Sequence, residues 1–350
     1  MGFDKTKYNG NKEDVGQTDL DDYAPEEMIE WYLDSRRSEL SEKTMYGYRN
    51  KLEHFLDWLQ ENDIDSMEEI DVLTVDRYKS DRLEEVKKVS VSGEIDAIRT
   101  WLKYCAKINA VPPNLHERLI TVSLEDEEEV SDRKIDSEEA EKLFDYLHKY
   151  EYASAEHVIF LLFWKTGMRI GSLRALDVDD VDTEERMVAL RHRPETDTPL
   201  KNKKAGERKI ALSEKSMRVL KNWIEDRRPD VTDEHGREPL IATKHGRRDG
   251  NSIRRRIYRI TQPCYYAECP LKRDPQECEY TSYAKYSQCD MSESPHAVRR
   301  GSITYQRKQG IPVNVVSDRT NASVEVLEKH YDARTEEERA EEQRKYLDDI

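Results

Sequence analysis

The sequence lacks any long apolar run. Nowhere in its 350 residues does such a run approach the roughly 20 residues of a membrane-spanning helix. The N-terminus MGFDKTKYNGNKEDVG also lacks the apolar segment of a secretory signal. These absences exclude a membrane protein. We expect a cytoplasmic protein that is long enough for two domains, each with its own core.

Positively charged residues are also fewer than negatively charged ones. The chain has 58 Lys and Arg against 74 Asp and Glu, which gives a formal net charge of -16. Since nucleic-acid binding depends on Lys and Arg, this balance argues at first against a nucleic-acid partner. The acidic excess also fits a cell that works in concentrated salt, where charges are strongly screened. An acidic protein from an ordinary cell is the alternative.

The charge is unevenly distributed along the chain. Acidic residues are concentrated in the N-terminal arm, in residues 124–132 and after residue 335, whereas residues 201–209 (KNKKAGERK) and 244–259 (KHGRRDGNSIRRRIYR) are strongly basic. A single basic stretch is more often a solvated surface than a binding site. Two such stretches in so acidic a chain favour a groove for a polyanion.

Hydrophobic periodicity predicts a helical first half. Residues 41–62 and 92–108 each carry an apolar stripe at helical spacing, and Ser41 is placed to cap the first of these helices. Helices near 24–38 and 73–87 complete a predicted bundle of four. The stripes are formed by Met45, Tyr48, Leu52, Phe55 and Leu59, and by Ile95, Ile98, Leu102 and Cys105.

The second half predicts a mixed domain. The spacing of Asp136 and Glu139 resembles a capping box at its start, and helical patterns follow. They alternate with strand-like segments at 186–194, 207–213 and 239–247. The predicted organisation is a flexible arm at 1–20, the helical bundle at 21–122, an acidic linker at 123–134, the mixed domain at 135–335 and an acidic tail at 336–350.

No nucleophile motif of the Gly-x-Ser-x-Gly kind is present, but residues 294–304 (SPHAVRRGSIT) place His296 and Arg299 three positions apart. On a helix that begins at Pro295, these side chains lie on one face. A proton-transfer group beside a fixed cation suits an anionic oxygen centre such as a phosphodiester. Because such pairs are common in helices by chance, the assignment needs further residues.

Four motifs, in this order, resemble those of the tyrosine recombinases, the phage-integrase and Xer-like enzymes. They are TGMRIGSLRALDVDDVD (166–182), a Lys-bearing hairpin that ends in ERKIAL, SPHAVRRGSIT, and LEKHYD (327–332). The resemblance implies a mainly α protein with a small β-sheet, in which a four-helix SAM-like core-binding domain precedes a mixed α/β catalytic domain. It also implies DNA strand cleavage through a 3′-phosphotyrosyl intermediate, without metal or nucleotide.

The resemblance implies catalytic roles for several side chains. Arg169 and Arg299 would clamp the scissile phosphate, because planar guanidinium groups match phosphate oxygens. Tyr331 would be the nucleophile, with Tyr305 as its nearest rival. His296 would accept the phenolic proton or form a hydrogen bond with the phosphate.

A lysine of the hairpin loop would protonate the leaving 5′-oxygen. Lys201 is the first choice, and Lys203 fits nearly as well. Two positions depart from the family pattern. Ser172 stands where an acidic residue usually supports the first arginine, and VVSDRTNAS stands where Leu-Gly-His, or a Trp for that His, is usual. We expect Arg319 to make that phosphate contact.

The function predicted from this resemblance is site-specific recombination, by an integrase of a virus, plasmid or other mobile element or by a Xer-like resolvase. Expected partners are double-stranded DNA with paired sites, further copies of the chain that form a tetramer on DNA, and an accessory or directionality factor. The alternatives are an inactive DNA-binding relative that acts as a regulator, and a type IB topoisomerase. The joint presence of two arginines and the tyrosine favours an active enzyme.

Cysteine is scarce, and four of the five cysteines lie in an insert at 262–290. A cytoplasmic chain keeps thiols reduced, so a cluster of this kind favours a metal site over disulfides. Four thiolates would bind one structural Zn²⁺ and brace the basic helix at 251–260 against the helix that carries His296. Unligated or disulfide-bonded cysteines are the alternative. The four are Cys264, Cys269, Cys278 and Cys289.

Overall fold

The computed structural model describes residues 23–124, 133–331 and 344. The chain divides into two compact units, Met1–Asp132 and Arg133–Ile350. The predicted arm, most of the predicted linker and, apart from Arg344, the predicted tail lie outside the described residues. Within the described residues, no helix combines the length and the apolarity needed to span a membrane.

The first unit is a helical bundle, as the apolar stripes predict. Leu52, Phe55 and Leu59 are all buried, and the second stripe, from Ile95 to Cys105, is buried too. The Ser41 side chain accepts a hydrogen bond from the backbone nitrogen of Thr44, which confirms the predicted cap. The helices are α1 (Pro25–Arg36), α2 (Glu42–Glu61), α3 (Val72–Glu85), α4 (Lys88–Lys107) and the short α5 (Leu115–Arg118).

The second unit combines nine helices of the described residues with two small sheets. The helices are α6 (Ser137–Tyr150), α7 (Ala155–Thr166), α8 (Ile170–Ala175), α9 (Glu214–Asn222), α10 (Gly250–Ile260), α11 (Pro263–Tyr266), α12 (Pro295–Lys308), α13 (Val313–Thr320) and α14 (Val324–Tyr331). The strands are β1 (Val181–Asp182), β2 (Met187–Leu190), β3 (Arg208–Ala211), β4 (Ala242–Thr243) and β5 (Gly246–Arg247). Asp136 and Glu139 form the predicted capping box at the start of α6.

The larger sheet has the strand order β1-β2-β3 and is antiparallel, with Met187 opposite Ala211 and Leu190 opposite Arg208. The segment 239–247, predicted as one short strand, instead folds back on itself as the hairpin β4-β5. Gly246 takes a φ of +106° there, a conformation that glycine adopts at little cost.

Helix α7 forms the centre of the second core. Its residues from Val158 to Trp164 are all buried, because α6, α8, α10 and α12 pack around it. Gly301 lets α12 approach closely, since a Cβ there would lie 2.2 Å from the Ile135 carbonyl oxygen. This contact fixes the position of the helix that carries His296 and Arg299.

Candidate active site

The C-terminal end of α13 binds three arginines through three consecutive carbonyl groups. The last carbonyl groups of a helix have no partner within the helix and carry the negative end of its dipole. Guanidinium groups from α8, β3 and α12 therefore converge there. The pairs, each 2.9 Å from nitrogen to oxygen, are Arg208 Nε with Arg319 O, Arg299 Nη1 with Thr320 O, and Arg169 Nη1 with Asn321 O. We call these three side chains the arginine cluster.

Gly167 allows this convergence. It ends α7 in the left-handed conformation with a φ of +62°, and a Cβ there would lie 2.9 Å from Thr320 Cγ2. Its carbonyl oxygen accepts a second hydrogen bond from Arg299 Nη1. Arg169 follows two residues later, at the N-cap of α8. The motif TGMR thus brings its own arginine and the arginine of α12 to the same helix end.

Among the residues that the structure describes, the arginine cluster holds positive charge without a carboxylate partner. Arg299 is 4% exposed, and burial, reinforced by the cation of Arg169, lowers its pKa to about 9. Burial and the same cation lower the pKa of Arg208 to about 10, and burial lowers the pKa of Arg169. In the described part of the chain, none of the three forms a salt bridge. Such a site favours an anion, and its planar groups suit a phosphate.

Ser172, which raised a question about support for Arg169, is buried in α8. Its backbone nitrogen donates to the Arg169 carbonyl oxygen at 2.9 Å. The guanidinium of Arg169 is held by the Asn321 carbonyl instead of a carboxylate. A carbonyl at the end of α13 therefore supports Arg169 in place of the acidic residue that is usual in the family.

His296 lies in the first turn of α12 and is exposed. Partial loss of hydration lowers its pKa, and the cations of Arg299, Arg300, Arg169 and Lys201 lower it further. The imidazole is therefore neutral near pH 7 and can accept a proton. The structure thus brings His296 and Lys201 to the arginine cluster.

The loop between β2 and β3, which carries Lys201, is fixed on both sides of this residue. The backbone nitrogen of Leu200 donates to His192 Nδ1 at 3.0 Å, and Asn202 Nδ2 donates to Asn321 Oδ1 at 3.2 Å. Lys203 begins the next 3₁₀ turn with a φ of +51° and an exposed side chain. These contacts orient the loop at Lys201 towards the end of α13.

Tyr331, at the end of α14, lies beside the arginine cluster. Only 7% of it is exposed, and it lies close enough to Arg169 and Arg299 to oppose the lowering of the pKa of both. The guanidinium carbon of Arg300 lies 5.6 Å from the centre of its ring. Tyr305, the rival nucleophile, instead packs on Trp164 in the main core, with 5.7 Å between ring centres.

In this structure the guanidinium of Arg319 binds protein groups, and the phosphate contact expected of it stays a prediction. Its three donor nitrogens all bind protein groups and tie α13 to α12, β3 and α7. The acceptors are Gln306 Oε1 at 3.1 Å, Ala211 O at 3.1 Å and Lys165 O at 2.7 Å.

Sequence reasoning missed two residues of the site, Arg208 and Asn321. Asn321 follows α13 in the left-handed conformation, with φ 53° and ψ 52°, which Asn tolerates better than most residues. For Arg208, the only signal was its place within ERKIAL.

The four cysteines of the insert are brought together. All are free and half-buried, and they line one small cavity of about 10 Å³. Burial raises the pKa of Cys264, and the other three thiols add to this effect. As the side chains stand, no group of three or more His, Cys, Asp or Glu in the described ranges could hold a metal ion.

Two family models match the chain. The model of the phage integrase family matches residues 133–338, and that of the phage integrase N-terminal SAM-like domain matches residues 29–108. The two matches fall in the two compact units of the chain.

Several solved structures share the fold. The integrase of the Tn1549 transposon, in complex with transposon right end DNA, has a TM-score of 0.68 and 13% identity over 92% of this chain and 99% of that one. A lambda integrase dimer bound to a COC′ core site has a TM-score of 0.63 and 13% identity over 90% and 79%. Lambda integrase bound to DNA has a TM-score of 0.58 and 12% identity over 86% and 94%.

These structural likenesses concern the fold alone, because the identities are low. The family assignment rests on the first family model, which spans more than half of the 350 residues. The chain belongs to the phage integrase family of tyrosine recombinases, the enzymes of site-specific DNA recombination.

Proposed function

We propose that this protein cleaves and rejoins DNA strands through a covalent link between Tyr331 and a 3′-phosphate. The observation that carries the proposal is the position of Tyr331 beside an arginine cluster that has no carboxylate partner in the described residues. A phosphodiester supplies the missing negative charge. The solved structures named above are complexes with DNA, which supports DNA as the substrate.

In the proposed reaction, Arg169 and Arg299 bind the oxygens of the scissile phosphate and stabilise the charge of the pentavalent transition state. The Tyr331 oxygen attacks phosphorus, and the bond to the 5′-oxygen breaks. His296, neutral near pH 7, takes the phenolic proton. A 5′-hydroxyl of another strand then attacks the phosphotyrosine and releases Tyr331. The phosphodiester energy is kept in the tyrosyl link, so neither metal nor nucleotide is consumed.

We assign the proton for the leaving 5′-oxygen to Lys201 rather than Lys203. The charge of Lys201 acts on His296, and its loop is fixed by Leu200 and Asn202. An ammonium group on a flexible stem can reach a leaving oxygen and give up its proton there. We assign to Asn321, in place of Arg319, the further hydrogen bond to the phosphate.

Tyr331→Phe tests the nucleophile. Duplexes cut from the DNA that flanks the gene, each with a nick near the candidate cleavage point, should trap the native protein as an adduct that survives denaturing electrophoresis. The variant should form no adduct, because it lacks the attacking oxygen, while its DNA affinity stays within about twofold of the native value, since phosphate affinity comes from cations.

Tyr305→Phe is the matched control, because Tyr305 lies on the neighbouring helix and packs in the core. It should keep the adduct. If Tyr331→Phe still forms the adduct and Tyr305→Phe does not, the nucleophile is misassigned.

The biological role we propose is integration or excision of a mobile element, or resolution of DNA dimers, by four copies of the chain on two sites. Joining of two labelled duplexes distinguishes this role from relaxation of supercoiled DNA by a topoisomerase. We propose that the acidic tail at 336–350 links protomers in this assembly; apart from Arg344, the tail lies outside the described residues. Deletion of residues 336–350 should abolish joining of two sites and leave adduct formation intact.

A further inference from the structure

We propose that Cys264, Cys269, Cys278 and Cys289 bind one structural zinc ion, which holds the insert in place and fixes the first turn of α12. The proposal begins with the convergence of the four thiols. They come from four separate points of the insert and line the same cavity. All four are free, so each can give up a proton and act as a thiolate ligand.

The insert has no core of its own that could explain this convergence. From Cys264 to Met291, not one residue is buried. The regular structure of this segment consists of the end of α11 and two 3₁₀ turns, Glu279–Thr281 and Tyr286–Gln288. Short segments without a core usually depend on disulfides or a metal for a fixed shape. The half-buried cysteines are placed to supply either one.

Both ends of the insert are tied to the catalytic unit at one point. Thr261 Oγ1 donates to the Glu293 carbonyl oxygen at 3.2 Å and accepts from the Glu293 backbone nitrogen at 2.8 Å. The next residue, Ser294, caps α12 through a hydrogen bond from the Ala297 nitrogen at 3.1 Å. The shape of the insert therefore affects the start of the helix that carries His296.

Further contacts connect the body of the insert to the residues around it. Gln262 Nε2 donates to the Tyr280 carbonyl oxygen at 2.9 Å. The guanidinium carbon of Arg255, on α10, lies 4.8 Å from the centre of the Tyr283 ring. Arg133 Nη2 donates to the Asp290 carbonyl oxygen at 2.7 Å. These are isolated noncovalent contacts at the edge of the insert. A metal at the centre of the insert would link them into one structure.

Zinc suits the chemistry and the size of the cavity. Four thiolates around Zn²⁺ make a closed tetrahedral site with Zn–S distances near 2.3 Å, and a cavity of about 10 Å³ is about the size of one water probe. The thiols must turn inward to reach that geometry, because no described group could hold a metal as it stands. Binding releases four protons and leaves two net negative charges, which Arg273, lining the same cavity, partly offsets.

The metal content of the full-length protein tests this proposal. Protein purified without chelator should contain about one zinc per chain, and a mercurial thiol reagent should release it. Replacement by Co²⁺ should give the strong thiolate-to-metal absorption of a four-sulfur site, a signal that needs no variant. A chain with less than about a tenth of a zinc, and with cysteines that are freely reactive or paired in disulfides, would overturn the proposal.

Cys278→Ser and its control, Cys105→Ser, locate the site. Cys105 is buried in the core of the first unit, far along the chain from the insert. Zinc should be lost from Cys278→Ser and retained by Cys105→Ser. Cys269→His should keep the metal, because a site of three cysteines and one histidine also binds zinc. Equal zinc in Cys278→Ser and Cys105→Ser would place the metal elsewhere.

The effect of zinc on α12 is measured by hydrogen exchange and not by catalysis. A negative result is therefore separable from a failure of the proposed function. Removal of zinc by a chelator should speed amide hydrogen exchange in residues 294–300 by about tenfold or more. Exchange in α7, whose residues from Val158 to Trp164 are buried, should stay unchanged. Unchanged exchange in both segments would refute the link to α12.

Discussion

The three arginines of the cluster are bound by carbonyl oxygens, and this choice of partner determines their charge. A carboxylate would neutralise a guanidinium, whereas a neutral carbonyl orients it and leaves its charge available. Burial lowers the pKa of Arg299 to about 9, so even this side chain is still protonated at neutral pH. The site therefore presents cationic groups that are ordered before DNA binds.

Substitution of Arg319 and of Asn321 should separate structural support from catalysis. Arg319→Ala removes three hydrogen bonds that tie α13 to its neighbours. It should lower the free energy of unfolding by about 2–3 kcal/mol, with little change in the rate of adduct formation by the folded protein. Asn321→Ala should slow adduct formation by about 10²-fold, as expected for loss of one transition-state donor. Urea unfolding and single-turnover cleavage measure the two effects.

The opposite pattern would return the phosphate contact to Arg319: a stable Arg319→Ala protein that no longer cleaves, beside an active Asn321→Ala protein. Asn321→Ser is the conservative control, because its shorter side chain still offers a hydrogen bond. It should recover part of the rate that Asn321→Ala loses.

At the scale of single residues, the sequence predicts a member of the site when the residue and its neighbours in the site all belong to recognisable motifs. Arg169, Arg299 and Tyr331 each belong to a motif, and the structure brings them together. Arg208 and Asn321 escaped prediction because their roles come from partners far along the chain. Arg208 is 111 positions from its carbonyl acceptor, and Arg169 is 152 positions from Asn321. No local pattern records such a contact.

Among the elements, the end of α7 is a sensitive junction, because it lies against α13. Gly167→Ala places a Cβ 2.9 Å from Thr320 Cγ2 and forces alanine into a φ of +62°. We expect a loss of about 2–4 kcal/mol in the free energy of unfolding, from left-handed strain and the clash together. Denaturant unfolding of the full-length protein measures it.

Gly171→Ala is the matched control, four residues later in α8. Nothing lies within 4 Å of its added Cβ, and alanine favours a helix by up to about 1 kcal/mol over glycine. It should therefore leave the stability unchanged or raise it. Equal losses in the two variants would mean that Gly167 has no special role at this junction.

The sequence predicts elements well where they are long and locally encoded. The stripes of α2 and α4 and the caps at Ser41 and Asp136 are properties of neighbouring residues, and all were confirmed. The two-residue strands were missed or merged, since two residues cannot display an alternating pattern. Strand β1 exists because it pairs with β2 at Val181 and Val188, a fact of tertiary structure.

For the whole molecule, the net charge of -16 is compatible with DNA as substrate because the arginine cluster places three cations together, none of them in a salt bridge within the described residues. The acidic excess and the arginine cluster occupy different parts of the sequence. Concentrated salt screens the acidic excess more than the arginine cluster, since buried charges are screened less than exposed ones.

Anion binding should stabilise the protein through the arginine cluster. At pH 7, a sulfate or phosphate concentration ten times the dissociation constant adds about 1.4 kcal/mol, which raises the Tm by about 3–6 °C. The comparison is with chloride at equal ionic strength. The effect should shrink above pH 9, because the pKa of Arg299 is lowered to about 9 and its cation is lost there.

Arg169→Gln distinguishes sulfate binding at the arginine cluster from the general effect of sulfate on protein stability. This variant keeps a polar side chain but loses a cation of the cluster, so the advantage of sulfate over chloride should fall by half or more. Lys221→Gln, an exposed change on α9, should keep the full advantage. An advantage that is the same in both variants would show that sulfate acts elsewhere.

The carbonyl groups at the end of α13 also bear on how this protein can diverge. Every residue, whatever its side chain, contributes the same main-chain oxygen. The anchoring of the three arginines therefore depends on the conformation of the backbone and not on which side chains stand at 319–321. A substitution there keeps these three carbonyl contacts as long as the turn keeps its shape. That latitude explains how VVSDRTNAS can stand where Leu-Gly-His is usual while the guanidinium groups stay in place.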